Sequence, residues 1–136
     1  MSKPQINWAE AFEDGGITLM DRVYGNSGSL ISQAGTTSVI LTVYECDTQQ
    51  DVIDADGTAL VGVGGSLTVS SLVYDSLQTA LPWSKDSTGY NFRYNAAAAA
   101  LPTGGKWYRF EFQVAPASGA VYWLVWGVYA KPVAGS

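Results

Sequence analysis

Acidic side chains are the groups most able to do chemistry in this chain, and several crowd one segment. Asp47, Asp51, Asp54 and Asp56 lie within a single stretch. Carboxylate oxygens are ligands that calcium prefers, provided that their spacing suits the ion. A calcium loop of the helix-loop-helix type needs a further acid before a glycine and a glutamate at its end, and residues 58–62 offer neither. The spacing therefore predicts a solvated charged hairpin and no metal site.

Nucleophilic catalysis lacks its usual partners, because the chain contains no histidine. This excludes Ser/His/Asp and Cys/His arrangements and the usual histidine-bearing zinc sites. The glycine-rich run from Gly62 to Ser66 has no lysine after it, so it predicts a bulged hairpin and not a phosphate-binding loop. A small hydrolase with two carboxylates stays open as a third interpretation, since any two acids can approach in space. We expect no enzyme, no catalytic residue and no cofactor.

Composition favours one small domain. The 136 residues suffice for a single hydrophobic core. A formal net charge of −5 disfavours nucleic acid, and the longest apolar run, residues 120–126, is too short to span a membrane. No charged leader followed by an apolar segment opens the chain, so we expect no cleaved secretion signal. The single cysteine, Cys46, excludes an internal disulfide and favours synthesis in a reducing compartment.

Alternating apolar and polar residues predict short β-strands along most of the chain. The sharpest case is residues 106–114, where Tyr108, Phe110 and Phe112 point one way and the residues between them the other. The predicted strands are residues 17–23, 37–46, 60–63, 67–73, 90–95, 106–114 and 121–130. Turn signals between them predict an all-β fold, an antiparallel immunoglobulin-like sandwich of about seven strands.

The N-terminal segment predicts an arm outside this sandwich, which assigns residues 1–16 to the arm and residues 17–136 to the sandwich. Asn7 and Glu10 have the spacing of a helix-capping box, and the glycines at 15 and 16 would end so short a helix. Trp8 and Phe12 give the arm apolar contact points. We expect the arm to become ordered only on a partner.

Aromatic side chains are the main resource for binding, with five Trp and eight Tyr in the chain. Sugar-binding platforms and protein interfaces both use such side chains. Trp107 falls on the polar face of its strand. The last strand is apolar on both faces, so one of its rows is covered by the arm or by a second chain, or else lies open, and we favour a second chain. Gly127 predicts a bulge in this strand. The predicted interface residues are Trp8, Phe12, Trp107, Trp123 and Trp126.

A short motif resembles the tyrosine corner of immunoglobulin-like domains. Asp86, Gly89 and Tyr90 place an acid four residues before a tyrosine, whose hydroxyl would bond to upstream backbone. Phe92 then stands where antibody domains carry their second cysteine. Its replacement suits a sandwich made in a reducing cytoplasm.

A wider resemblance covers about the last two thirds of the chain. The matching segments are VILTV at 39–43, Trp83, DSTGY at 86–90 and PTGGKWYRFEF at 102–112. Together they resemble the N-terminal domain of phage baseplate upper proteins. The resemblance implies a scaffold role in the virion after synthesis in the host cytoplasm, with other virion proteins and copies of the chain itself as partners. It carries over no catalytic or ligand residue, and it leaves open the tail, baseplate, neck or capsid-decorating position.

The leading interpretation is therefore a bacteriophage virion structural protein that acts by protein-protein assembly, without nucleic acid or membrane. The alternative is a carbohydrate-binding or adhesion module that stacks a host-surface glycan on Trp107, Trp83 and Trp8. These two interpretations differ in what the exposed indoles contact.

Overall fold

The computed structural model describes residues 6–25, 28–79 and 89–133. Within these ranges the chain forms nine strands in two sheets, which confirms the predicted all-β sandwich. The strands are β1 (Ile6–Phe12), β2 (Ile17–Asp21), β3 (Thr36–Cys46), β4 (Thr58–Ala59), β5 (Gly65–Leu67), β6 (Val73–Gln78), β7 (Tyr90–Ala96), β8 (Trp107–Pro116) and β9 (Tyr122–Lys131). One short helix, α1 (Gln49–Ile53), and two 3₁₀ turns complete the described part. Trp83 and residues 86–88 of the sequence motifs lie outside the described residues.

Strand order agrees with the immunoglobulin fold. The larger sheet has the order β1-β9-β8-β3-β4, with β5 also paired to β3, and the smaller sheet has the order β2-β7-β6. Immunoglobulin domains divide strands G, F and C from strands B, E and D in the same way. Among the described pairs, all are antiparallel except β1 with β9, which is parallel.

The core lies between the two sheets and is rich in aromatic side chains. Phe112 on β8 packs edge-on against Phe92 on β7, with ring centroids 5.2 Å apart, and Trp126 on β9 stacks on Phe92 at 5.7 Å. The alternation predicted for β8 is confirmed, since Tyr108, Phe110, Phe112 and Val114 are fully buried. Burial of such side chains is the main favourable contribution to folding.

The expected helical arm is wrong for residues 6–12, because they form β1 and extend the larger sheet. Ala9 and Ala11 face the core, so small side chains at these positions let β1 sit close to the opposite sheet. The core-facing Asn7 side chain donates to Asp21 on β2 at 3.2 Å, which ties this edge to the smaller sheet. β1 therefore belongs to the sandwich, and the boundary predicted at residue 16 does not separate an arm from it.

Three local predictions are also wrong. Residues 60–63, predicted as a strand, lie between β4 and β5 and outside any strand. The acidic segment contains α1 where a plain hairpin was expected, and the Thr48 hydroxyl caps this helix by accepting from the Asp51 amide. The strand predicted over residues 67–73 is interrupted by a 3₁₀ turn, Val69–Ser71. The reason is that the chain changes sheets there, since β5 pairs with β3 whereas β6 pairs with β7.

Candidate functional site

The candidate site is the outer face of the larger sheet, which points away from the core. On this face lie the even-numbered residues of β1 and β3 and the odd-numbered residues of β8 and β9. Four large apolar side chains remain exposed there: Phe12 by 59%, Trp123 by 46%, Trp8 by 43% and Ile40 by 39%. Because solvent contact with large apolar side chains forgoes burial free energy, this face is the strongest candidate for an interaction surface.

Charged side chains on the outer face are paired within the chain. Arg109 and Glu111 form an ion pair of 2.6 Å whose side chains are only 13% and 17% exposed. The Arg109 guanidinium also donates to the Val52 carbonyl of α1, which holds the helix against the sheet. Lys131 pairs with Glu10 at 2.8 Å. Each pair has no net charge, so the face is close to neutral between its aromatic side chains.

One end of the outer face carries an aromatic cluster of Trp8, Trp107 and Tyr129. Trp8 meets Trp107 edge-on, with centroids 5.8 Å apart and planes at 88°, and Trp107 contacts Tyr129 at 4.9 Å. Beside the cluster is a shallow cleft of about 360 Å³, lined by Trp8, Ala9, Glu10, Gln49 and Trp107. The structure therefore brings two of the predicted interface residues, Trp8 and Trp107, into one site.

Gly127 explains how the Trp8 ring fits on the sheet. A side-chain carbon added at Gly127 would lie 2.3 Å from Cζ3 of Trp8 and 3.0 Å from Cγ1 of Val52. The predicted bulge at Gly127 is wrong, because the β8–β9 register runs unbroken through Arg109 and Gly127. The glycine instead leaves space for an indole from β1.

Trp123 and Trp126 lie on opposite faces of β9. The prediction of Trp126 as an interface residue is wrong, since it is 3% exposed and packs against Phe92 and Phe112 in the core. Trp123 pairs across the strands with Gln113 on the outer face. It borders a small cleft with Arg109, Glu111 and Val125. Trp123 therefore forms a second exposed patch, separated from the aromatic cluster by Val125 and Gly127 along β9.

A tyrosine corner is present at Tyr108. Tyr108 lies near the start of β8, the strand in the position of immunoglobulin strand F, and its hydroxyl accepts from the Thr103 amide at 2.9 Å. The same hydroxyl donates to the Glu45 carboxylate at 2.8 Å. Tyr90 begins β7 in the smaller sheet, where Gly89 before it has a positive φ of 88° and its carbonyl accepts from Arg22. Asp86 of the corner predicted at Tyr90 lies outside the described residues, so that corner stays a prediction.

Burial raises the pKa of two groups, Tyr108 and Asp21, whose hydrogen bonds connect separate parts of the fold. It raises the pKa of Tyr108 to about 12, and the hydrogen bond to Glu45 adds to this effect. Burial also raises the pKa of the Asp21 carboxyl above its ordinary value of 3.8, although hydrogen bonds from the Arg22 amide and from Asn7 partly oppose it. Both groups support structure, and neither lies on the outer face.

The four aspartates of the acidic segment form no recognisable metal site. In the described ranges no group of three or more Asp, Glu, Cys or His side chains is arranged to bind an ion. Asp47 forms an ion pair with Lys106. The backbone amide of Asp51 donates to the Thr48 hydroxyl that caps α1. Nor do the described residues include a helix with the length and hydropathy of a membrane span.

Comparison with known proteins gives no relatives. No protein-family model, curated protein or solved structure matches the chain. The sequence predicts Trp8, Phe12, Trp107 and Trp123 as interface residues, and the structure places all four on this face, but the exposed Ile40 was missed. The signal for Ile40 was present in the alternation of β3, where Val39 and Leu41 take the core side.

Proposed function

We propose that the protein acts by protein-protein assembly, as a structural subunit of a bacteriophage particle. The observation that carries the proposal is the outer face. Its large apolar side chains are exposed to solvent, whereas the charged side chains among them are paired within the chain. The resemblance of residues 39–43, 86–90 and 102–112 to baseplate upper proteins supports the setting in a virion. In this proposal the partners are other virion proteins and further copies of the chain.

Trp123 is the proposed central contact. It is 46% exposed, and the neighbouring Val121 is 47% exposed, so the apolar surface continues past the start of β9. Full burial of a large apolar side chain contributes about 1.5 to 3 kcal/mol, and Trp is enriched among residues that dominate interface energies. A partner that covers Trp123 therefore gains the free energy of burying this side chain, which the isolated chain leaves partly exposed.

The ion pair beside Trp123 fits an uncharged partner surface. Arg109 and Glu111 are already largely removed from water by their own neighbours, so little further desolvation is needed when a partner covers them. Since the pair is neutral, the partner need not supply a countercharge. A flat protein surface with an apolar centre meets these conditions, as the centres of protein interfaces are depleted in charge.

The test is incorporation into purified particles of the phage that encodes the chain. Peptide mass spectrometry of these particles should detect the protein, and Trp123→Ser should lower its copy number at least about tenfold while the melting temperature stays near that of the wild type. Val61→Ser is the matched control, because Val61 is 99% exposed in the loop between β4 and β5, away from the outer face. Particles that lack the protein, or that take up Trp123→Ser as well as the wild type, would contradict the proposal.

A further inference from the structure

We propose that the cleft beside the aromatic cluster binds a neutral saccharide. The cleft has a volume of about 360 Å³ and is lined by two indoles, one carboxylate, one amide and a stretch of strand backbone. This volume lies within the range of small-molecule sites, which combine apolar walls with a few polar groups. The inference goes beyond assembly, and it involves a different part of the outer face from Trp123.

The walls of the cleft suit a sugar ring. Pyranose rings present C–H groups on a face and hydroxyl groups around the edge, so they pack against an aromatic ring and hydrogen-bond to polar neighbours. Trp8 is 43% exposed, and its edge-on contact with Trp107 sets the two indoles at 88°. Two perpendicular aromatic surfaces form a corner that contacts a ring from its face and from its side.

The aromatic walls are held in place before any ligand arrives. Trp8 rests against Gly127, and Trp107 also contacts Tyr129, with ring centroids 4.9 Å apart. Side chains that are already fixed lose little conformational entropy on binding, which raises affinity for a given set of contacts. This arrangement favours a rigid ligand over a flexible chain.

Polar groups in the cleft match vicinal hydroxyls. The Glu10 carboxylate accepts hydrogen bonds, and it is oriented by Lys131 at 2.8 Å. The Gln49 amide both donates and accepts, and it lies exposed in the first turn of α1. Among the described residues, β1 is the last strand of its sheet, and Ala9 of this strand also lines the cleft.

Charge in and around the cleft selects against acidic sugars. Glu10 lines the cleft with its charge paired to Lys131, and α1 adds Asp51 in its first turn with no basic residue in its last turn. A uronic or sialic acid carboxylate would meet like charge there, which costs free energy. A proline-rich peptide is the other ligand that aromatic grooves accept, but such peptides extend along several adjacent pockets, and this cleft is a single one.

The test is a titration of the full-length protein, labelled at the tryptophan indole nitrogens, with single sugars. Glucose, galactose, mannose and N-acetylglucosamine form the neutral set, and glucuronate and N-acetylneuraminate form the acidic set. At least one neutral sugar should move the indole signals of Trp8 and Trp107 with a dissociation constant in the millimolar range or tighter. The Trp123 signal should stay in place, because Trp123 lies outside the cleft.

Variants separate the cleft from the rest of the face. Trp8→Leu keeps an apolar side chain over Gly127, and Gln49→Ala changes an exposed side chain, so the second variant serves if the first fails to fold. Each should weaken the sugar affinity at least about tenfold, whereas Trp123→Ser should leave it unchanged. Absence of any shift with neutral sugars, stronger binding of the acidic set, binding of proline-rich peptides alone, or unchanged affinity in Gln49→Ala would overturn the inference. Since Trp123→Ser tests assembly alone, the two proposals fail independently.

Discussion

The Trp8 indole lies against the α-carbon of Gly127, at a place where any side chain on residue 127 would collide with it. A Cβ atom there would come 2.3 Å from Cζ3 and 2.5 Å from Cε3 of the indole. This contact links the N-terminal strand to the last strand and orients one wall of the cleft beside the aromatic cluster. A glycine in the middle of a strand normally weakens it, so the close approach of Trp8 gives a physical reason for its presence.

Gly127→Ala should therefore displace Trp8 and lower the free energy of unfolding by about 1 to 3 kcal/mol, the usual range for overpacking. Chemical denaturation measures the loss, and the near-UV circular dichroism of the indoles should change with it. In a Trp8→Ala background the same substitution should cost less, because its principal collision is gone. Gly25→Ala is the control, since its added carbon would meet Ile31 at an ordinary 3.6 Å. Equal losses with and without Trp8 would show that the ring does not depend on the glycine.

Tyr108→Phe should remove the hydrogen bonds of the tyrosine corner without changing the packing of the ring. The hydroxyl accepts from the Thr103 amide and donates to Glu45, so the free energy of unfolding should fall by about 1 to 3 kcal/mol. Tyr24→Phe is the matched control, because Tyr24 is 55% exposed. A denaturation midpoint that moves no further for Tyr108→Phe than for the control would mean that this corner does not stabilise the fold.

Alkaline pH should destabilise the protein partly through Tyr108. Its pKa is about 12 in the folded chain against 10.0 for an ordinary tyrosine, so the folded state keeps a proton that the unfolded state loses. The free energy of unfolding should therefore decline as the pH rises from about 10 to about 12. Tyr108→Phe should decline less steeply over this window, although not to zero, because burial also raises the pKa of Tyr94 and Tyr122. Identical slopes for variant and wild type would refute the assignment.

Asp21 should produce a slope of the same sign at acidic pH. Its pKa is raised by burial, so between 3.8 and the folded value the native state holds a proton that the unfolded state has released. Stability should fall as the pH rises through this window, and Asp21→Asn should flatten the slope while Asn7 and the Arg22 amide keep an oxygen to bond. Asp56→Asn, on an exposed residue, is the control. If Asp21→Asn instead steepens the loss of stability with pH, the carboxylate form is the one that the fold favours.

The alternation of apolar and polar residues predicts those parts of the fold that depend only on residues close together in the chain. The alternation in β8 decides which residues face the core, and Tyr108 and Phe110 follow it. β9 shows the limit of this reasoning, because both of its rows are apolar. Only its register against β8 places Trp126 in the core and Trp123 outside. Periodicity alone contains no information on that choice.

Long-range pairing explains the other errors. Residues 6–12 form a strand because they pair with the edge of β9, which lies more than a hundred residues later in the chain. Polarity alone would put Asn91 of β7 on a solvent-facing side, but it is fully buried, since its side-chain oxygen accepts from the Val23 N–H and its side-chain nitrogen donates to the Val23 carbonyl. That partner belongs to a distant loop, which no local pattern around Asn91 identifies. The same holds for the cleft, whose lining residues come from β1, α1 and β8.

The most direct measurement of the central claim is oxidative footprinting of Trp123 in the free protein and in assembled particles. In the free protein Trp123 is 46% exposed, so hydroxyl radicals should label its indole readily, while the buried Trp126 provides an internal reference within the same strand. If the outer face is the assembly surface, labelling of Trp123 should fall at least about fivefold in particles, as water is excluded from the centre of an interface. Equal labelling of Trp123 in the two states would contradict the account.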